Sequence, residues 1–157
     1  MKFEYSQFVQ NRRVILMSMR EEYFRDIVTG KKHFEYRKKY CEEESTAYIY
    51  ISKTKKAIIG KIWFGKPIMG NAEKIATIAE KDQKGNYNNI LEYISDEIGY
   101  AIPIKKVELV NPIRLNEIKA AFADFYPPQS YYYLERISNR IKPDLRVWKE
   151  CGYFPDA

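Results

Sequence analysis

The sequence predicts one mixed α+β domain, with about five to six strands and several short helices around them. Three observations carry this expectation. The chain has 157 residues, within the ~100–200 residues of a single domain. Its 45% hydrophobic and 15% aromatic content supports a buried core and argues against disorder. Strand-like and helix-like patterns also follow one another irregularly, which excludes a regular βαβ series. The domain is expected to span 1–157, with a core over about 12–137 and a helical extension over 138–157.

The elements follow in order. Val14-Ile15-Leu16-Met17-Ser18-Met19 is a short, nearly continuous apolar run, the pattern of a buried strand. Glu21 and Glu22 then open a helix, where acidic groups complement the positive end of the dipole. Tyr23, Phe24, Ile27 and Val28 repeat at helical spacing, and Gly30 supplies the stop. His33 to Lys39 alternates, placing Phe34 and Tyr36 on one face and His33, Glu35 and Arg37 on the other. Two further strands read from Tyr48–Ile51 and Ala57–Phe64, joined by the basic Lys53-Thr54-Lys55-Lys56. A short helix is expected around Ile75 to Ala79, and a second, capped by Asn86, through Ile94. Strand character returns over Tyr100–Val110. A third helix carries Leu115, Ile118, Ala121, Phe122 and Phe125 and stops before Pro127-Pro128. Gln129 to Glu135 reads as a tyrosine-rich strand, and Pro143 opens a last helix through Trp148.

Charge narrows the function classes. There are 27 Lys/Arg against 21 Asp/Glu, a net +6, which brings polyanionic partners into view. Residues 12–66 hold 14 Lys/Arg and 7 Asp/Glu, net +7; the remainder holds 13 and 14, net −1. Cys41 and Cys151 cannot build a disulfide framework, and with His33 as the one histidine no zinc set is available. No metal and no cofactor are expected. The opening Met1 to Ser6 has no signal-peptide run, and no apolar stretch reaches the ~20 residues of a membrane span. A cytoplasmic, reducing setting without membrane contact is therefore expected.

The most informative stretch is Gly30-Lys31-Lys32-His33-Phe34-Glu35-Tyr36-Arg37. Strand alternation puts Glu35 and Arg37 on one face, close enough to pair, while Lys32 lies at the turn before them. In a cleft, such a pair presents a planar bidentate donor that suits a phosphate, a base edge or a carboxylate. On a solvated strand face, the same residues would be a surface ion pair contributing ~0–1 kcal/mol. Residue types alone leave both readings open.

The pattern Gly30-x-Lys32-x-x-Glu35-x-Arg37, after a strand and a helix, resembles the signature of the ASCH domain, a branch of the PUA-like superfamily. Ser18-Met19-Arg20 at the end of the first strand, and Pro127-Pro128-Gln129-Ser130-Tyr131 before the last, are similar to that family too. The likeness covers roughly residues 12–137 in the expected order. It implies a PUA-like small mixed β-barrel with helices packed around it. It also implies a basic cleft lined by Lys32, Glu35 and Arg37, binding RNA or a nucleotide-derived ligand. Ser18 and Arg20 match a strand end that usually reads Ser-x-Lys or Ser-x-Arg. Glu21 stands where the family often has proline. Some small relatives hydrolyse acylated cytidines using the motif lysine and a threonine at the position of Glu35.

On this resemblance the expected function is RNA binding through Ser18, Arg20, Lys32, Glu35, Arg37, Gln129 and Ser130. The alternative is hydrolysis of a modified nucleoside or of RNA, with Lys32 and Glu35 as the catalytic candidates. A second feature points the same way. Lys38, Lys39, Lys53, Lys55, Lys56, Lys61 and Lys66 are interleaved with Tyr40, Tyr48, Tyr50, Trp63 and Phe64. Cations neutralise phosphates and flat rings stack unpaired bases, although strand aromatics are also ordinary core formers. Gln129 and Ser130 offer amide and hydroxyl groups to a ligand, or to the backbone of a proline turn. His33 is expected to be exposed, and the cysteines to be ordinary thiols.

Overall fold

The computed structural model of the chain describes residues 13–134. The helix expected from Pro143, the extension over 138–157, and Cys151 lie outside the described residues. Seven strands and four helices are described. They are β1 (Arg13–Met19), α1 (Glu21–Val28), β2 (Phe34–Arg37), β3 (Ser45–Ile51), β4 (Ala57–Phe64), β5 (Ile68–Gly70), α2 (Ala72–Asp82), α3 (Tyr87–Ile94), β6 (Gly99–Arg114), α4 (Leu115–Ala121) and β7 (Tyr131–Tyr133). The strands form one mixed sheet in the order β2-β6-β4-β3-β1-β7, with β5 also paired to β6. The sheet curls into a half-barrel. β1 and β3 run parallel and the other pairs are antiparallel.

Burial explains the strand sequences. Leu16, Tyr48, Tyr50 and Ile58 face one core with Ile118, Phe122 and Phe125 beside α4. Ile15, Met17, Ile49, Ile51 and Phe64 face a second core that takes in Phe24 and Ile27 of α1. Strands β1 and β3 are thus covered on both faces, so their apolar runs are continuous instead of alternating. Register shifts at Ile49/Tyr50, Ile58/Gly60 and Trp63/Phe64 interrupt the ladders where the strands curl, as bulges do. Gly60 makes room for α1: a Cβ there would lie 2.1 Å from the Phe24 ring.

The helix stop at Gly30 has a defined geometry. Gly30 N–H donates to the Ile27 carbonyl and Lys31 N–H to the Asp26 carbonyl, the paired bonds of a Schellman turn. Gly30 sits at φ +79, a conformation that glycine adopts without steric cost. Lys32 N–H donates to the same Asp26 carbonyl at 3.0 Å. The end of α1 therefore fixes where the Lys32 side chain begins.

Several expectations are corrected. Strand β6 runs from Gly99 to Arg114, beyond the expected Val110, because Ile113 and Arg114 stay paired to Ile58 and Ala57 of β4 and the Ile113 side chain is buried. The three-residue β5 was not expected at all. The last strand is shorter than expected and starts at Tyr131, leaving Gln129 and Ser130 in the preceding turn. Asn86 stands before α3 but caps nothing with its side chain. The Glu80 carboxylate accepts from Gly85 and Tyr87 N–H instead, while Asn71 caps α2 through Lys74 N–H. Along α1, Phe24 and Ile27 are buried, whereas Tyr23 and Val28 are exposed.

Candidate functional site

Strand β2 and strand β7 lie at opposite ends of the sheet order, and the curl of the sheet brings them together at Arg37. This side chain, the last residue of β2, reaches across to both far elements. Its Nη1 donates to Ser130 Oγ and its Nη2 to the Ser18 carbonyl, each at 3.1 Å. Ser18 and Ser130 are themselves joined, since Ser18 N–H donates to the Ser130 carbonyl at 2.9 Å. The Ser18 hydroxyl donates to the Pro128 carbonyl at 2.6 Å. The proline turn before β7 is thereby fixed to the end of β1.

Glu35 lies between two cations. Lys32 Nζ is 3.4 Å from Oε2, and Arg37 Nε is 3.4 Å from Oε1. Arg37 Nε is buried and faces the carboxylate without the alignment of a hydrogen bond. Lys32 and Glu35 are 8% and 6% exposed, so this is not a solvated strand face. Removing one partner of so buried a pair leaves an uncompensated charge, a change costing about 3–5 kcal/mol. The Lys32 ammonium also lies 4.7 Å from the ring centroid of Tyr23 and 5.7 Å from that of Tyr36.

Tyrosines back this network. Tyr40 and Tyr131 meet at 5.2 Å between ring centroids, and burial raises the pKa of both, Tyr131 to about 12. The Tyr36 hydroxyl is buried without a hydrogen-bond partner among the described residues, and burial followed by the charges of Asp82 and Glu35 raises its pKa too. These phenols remain protonated at neutral pH and act as donors or apolar surfaces. They are not bases.

The predicted residues thus divide. Ser18, Lys32, Glu35, Arg37 and Ser130 form one connected network. Gln129 is exposed and joins none of the hydrogen bonds among the described residues. Arg20 turns away, ion-pairing loosely with Glu22 at 3.9 Å. It lines a separate groove of mixed charge, about 260 Å³, with Glu21, Glu22, Arg25 and the β3–β4 turn residues Ser52, Lys53 and Thr54. His33 is exposed as expected, and its partner is Asp82 of α2, with Nδ1 2.7 Å from Oδ1 and its backbone N–H donating to Oδ2.

The interleaved aromatics resolve to core. Tyr40, Tyr48, Tyr50, Trp63 and Phe64 are all buried, and so is Lys61. None of these rings is a surface on which a base can stack. Lys38, Lys39, Lys53, Lys55, Lys56 and Lys66 are exposed. Tyr23, beside Lys32, shares the helical spacing of Phe24, Ile27 and Val28 but is exposed. Its place one residue before the buried Phe24, at the flank of the apolar stripe, is the signal that distinguishes it.

Comparison with known proteins identifies the family and the fold. The family model of the ASCH domain matches residues 17–119. The chain is 24% identical over 131 residues to an ASCH domain-containing ribonuclease of Zymomonas mobilis, covering 82% of this chain and 88% of that protein. Crystal structures of ASCH from Zymomonas mobilis share the fold. One superposes with a TM-score of 0.69 at 23% identity, covering 85% of this chain and 96% of that one. A serine-to-alanine variant gives 0.70 at 22% identity, over 86% and 97%. Among the described residues, no helix is long and apolar enough to cross a membrane.

Proposed function

Because this chain belongs to the ASCH domain family, we propose that it binds single-stranded RNA at the network of Lys32, Glu35, Arg37, Ser18 and Ser130. The observation that carries this reading is Arg37: one guanidinium held by a carboxylate and tied to both ends of a curled sheet. A planar fork fixed in this way is preorganised for a phosphate or a base edge, and little side-chain entropy is lost on binding. Ser130 is exposed and offers a hydroxyl beside the fork. Lys38, Lys39 and the lysines of the β3–β4 turn add exposed positive charge for a phosphate chain. Single strands suit the site better than duplex, because unstacked bases can enter it.

A second reading, cleavage of the bound RNA, is favoured by the ribonuclease among the relatives. Arg37 would stabilise the negative charge that develops on phosphorus-bound oxygen, with the buried Lys32 adding its positive field behind Glu35. Hydrolysis of acylated nucleosides has less support, since Glu35 stands where the amidohydrolase relatives carry threonine and is held between two cations.

Fluorescence anisotropy of a labelled single-stranded RNA across a salt series tests the binding. Log affinity should fall linearly with log salt, by about 0.7 per phosphate neutralised. Arg37→Lys keeps the charge and loses the fork, so it should weaken binding at least about tenfold, as loss of a charge-assisted bond does. Unchanged affinity in folded Arg37→Lys would overturn the site. Mass analysis of the RNA, with Glu35→Gln as control, decides whether cleavage follows.

A further inference from the structure

We infer that Tyr23 is the base-stacking platform of this site, an inference that rests on the RNA-binding reading above. Tyr23 lies in the first turn of α1. Phe24 and Ile27 of the same helix are buried in the core, whereas Tyr23 is 44% exposed. One side of the phenol lies against the Lys32 ammonium, 4.7 Å from the ring centroid. Lys32 is nearly inaccessible while Tyr23 is not, so the tyrosine roofs the lysine and leaves ring surface in solvent.

This arrangement suits an unpaired base in three ways. A large aromatic standing in water loses little by being covered, and base stacking on such rings tolerates any sequence because every base has a π-face. The ammonium beneath polarises the ring by a cation–π contact and limits its freedom, so the platform is already set before a ligand arrives. The aromatics that the strand sequences offered for stacking, Tyr40, Tyr48, Tyr50, Trp63 and Phe64, are buried; Tyr23 is an exposed ring that touches the motif lysine. A base on Tyr23 would also lie one helical turn from Arg20, three residues earlier. The neighbouring groove is of mixed charge, lined by Arg20, Arg25 and Lys53 together with Glu21 and Glu22, so the contribution of this site rests on the stack and not on a further phosphate contact.

The test uses the full chain and a short single-stranded RNA with 2-aminopurine at one position, a base whose fluorescence is quenched when it stacks. Wild type and Tyr23→Phe should bind alike and quench the probe. Tyr23→Leu keeps an apolar cover over Lys32 and removes the π-face. It should bind about 5- to 150-fold more weakly, the range for one lost base stack, and leave the probe bright at saturating protein. Its salt slope should match wild type, because no phosphate contact is lost. An RNA abasic at the probe position should not distinguish Tyr23→Leu from wild type.

Tyr23→Leu that binds and quenches like wild type overturns the inference alone, provided Arg37→Lys still weakens binding. Equal weakening in Tyr23→Phe and Tyr23→Leu assigns the effect to the hydroxyl and overturns stacking. Failure of wild type to bind the RNA removes the RNA-binding reading, and the inference with it.

Discussion

Lys61, which composition counts among the surface cations, is 2% exposed. Its ammonium lies 4.4 Å from the Trp63 ring centroid and 5.5 Å from that of Tyr48. Burial pulls its pKa from 10.5 down to about 8, partly opposed by the charge of Glu108. A lysine with a lowered folded pKa holds fewer protons than the unfolded chain between about pH 8 and 10.5. Stability contributed by this group should therefore rise with pH across that window, the penalty being fully present below it. The buried tyrosines act in the opposite sense, because their raised pKa values cost stability above pH 10. Between pH 8 and 9.5, urea denaturation should show stability increasing in wild type, by roughly 1–2 kcal/mol, and flattened in Lys61→Met. A wild-type stability that falls over this interval would contradict the burial argument.

At the scale of elements, α1 and its Schellman turn position the site. The helix seats Phe24 over Gly60, hangs Tyr23 over Lys32 and ends at a glycine that sends the chain into β2. A Cβ on Gly30 would meet nothing within 4 Å, so the cost of Gly30→Ala is conformational alone. Thermal or urea unfolding should show a loss of about 1 kcal/mol, and RNA affinity should fall with it because Lys32 starts from that turn. Asparagine, which tolerates the left-handed region better, should recover part of both.

The same scale explains which parts of the architecture a reader of the sequence can find. Helix α1, the strands around Val14–Met19 and Ala57–Phe64, and the Lys32–Glu35–Arg37 spacing are carried by local patterns. Strand β5 is too short to have a period, and the end of β6 carries Pro112, a residue that argues against a strand in sequence. Strand β3 hides its geometry, since residues buried on both faces erase the alternation that assigns a side chain to a face. For that reason the sequence leaves a ligand role open for Tyr48 and Tyr50 beside the ordinary core one.

At the scale of the whole molecule, the site exists because the sheet curls. Ser18, Arg37 and Ser130 are separated by up to 112 positions, and no local pattern brings them together; a long-range hydrogen-bond set does. The sequence motif identifies Lys32, Glu35 and Arg37, and the resemblance adds Ser18, Arg20, Gln129 and Ser130. Only the fold separates Arg20 and Gln129 from the others and adds Tyr23. The charge excess of residues 12–66 likewise divides once folded, with Lys32 and Lys61 buried and Lys38, Lys39 and the β3–β4 turn lysines exposed.

RNA binding is proposed at the network that joins the two ends of the sheet. The most direct measurement is a ¹H–¹⁵N NMR titration of the labelled protein with a short single-stranded RNA, following backbone amides and the Arg37 Nε–Hε group. Saturable shifts are expected at Arg37 Nε–Hε and at the Ser18, Lys32 and Ser130 amides, all fitting one dissociation constant. Shifts confined to surface lysines elsewhere, with the Arg37 group unmoved at saturation, would contradict this site.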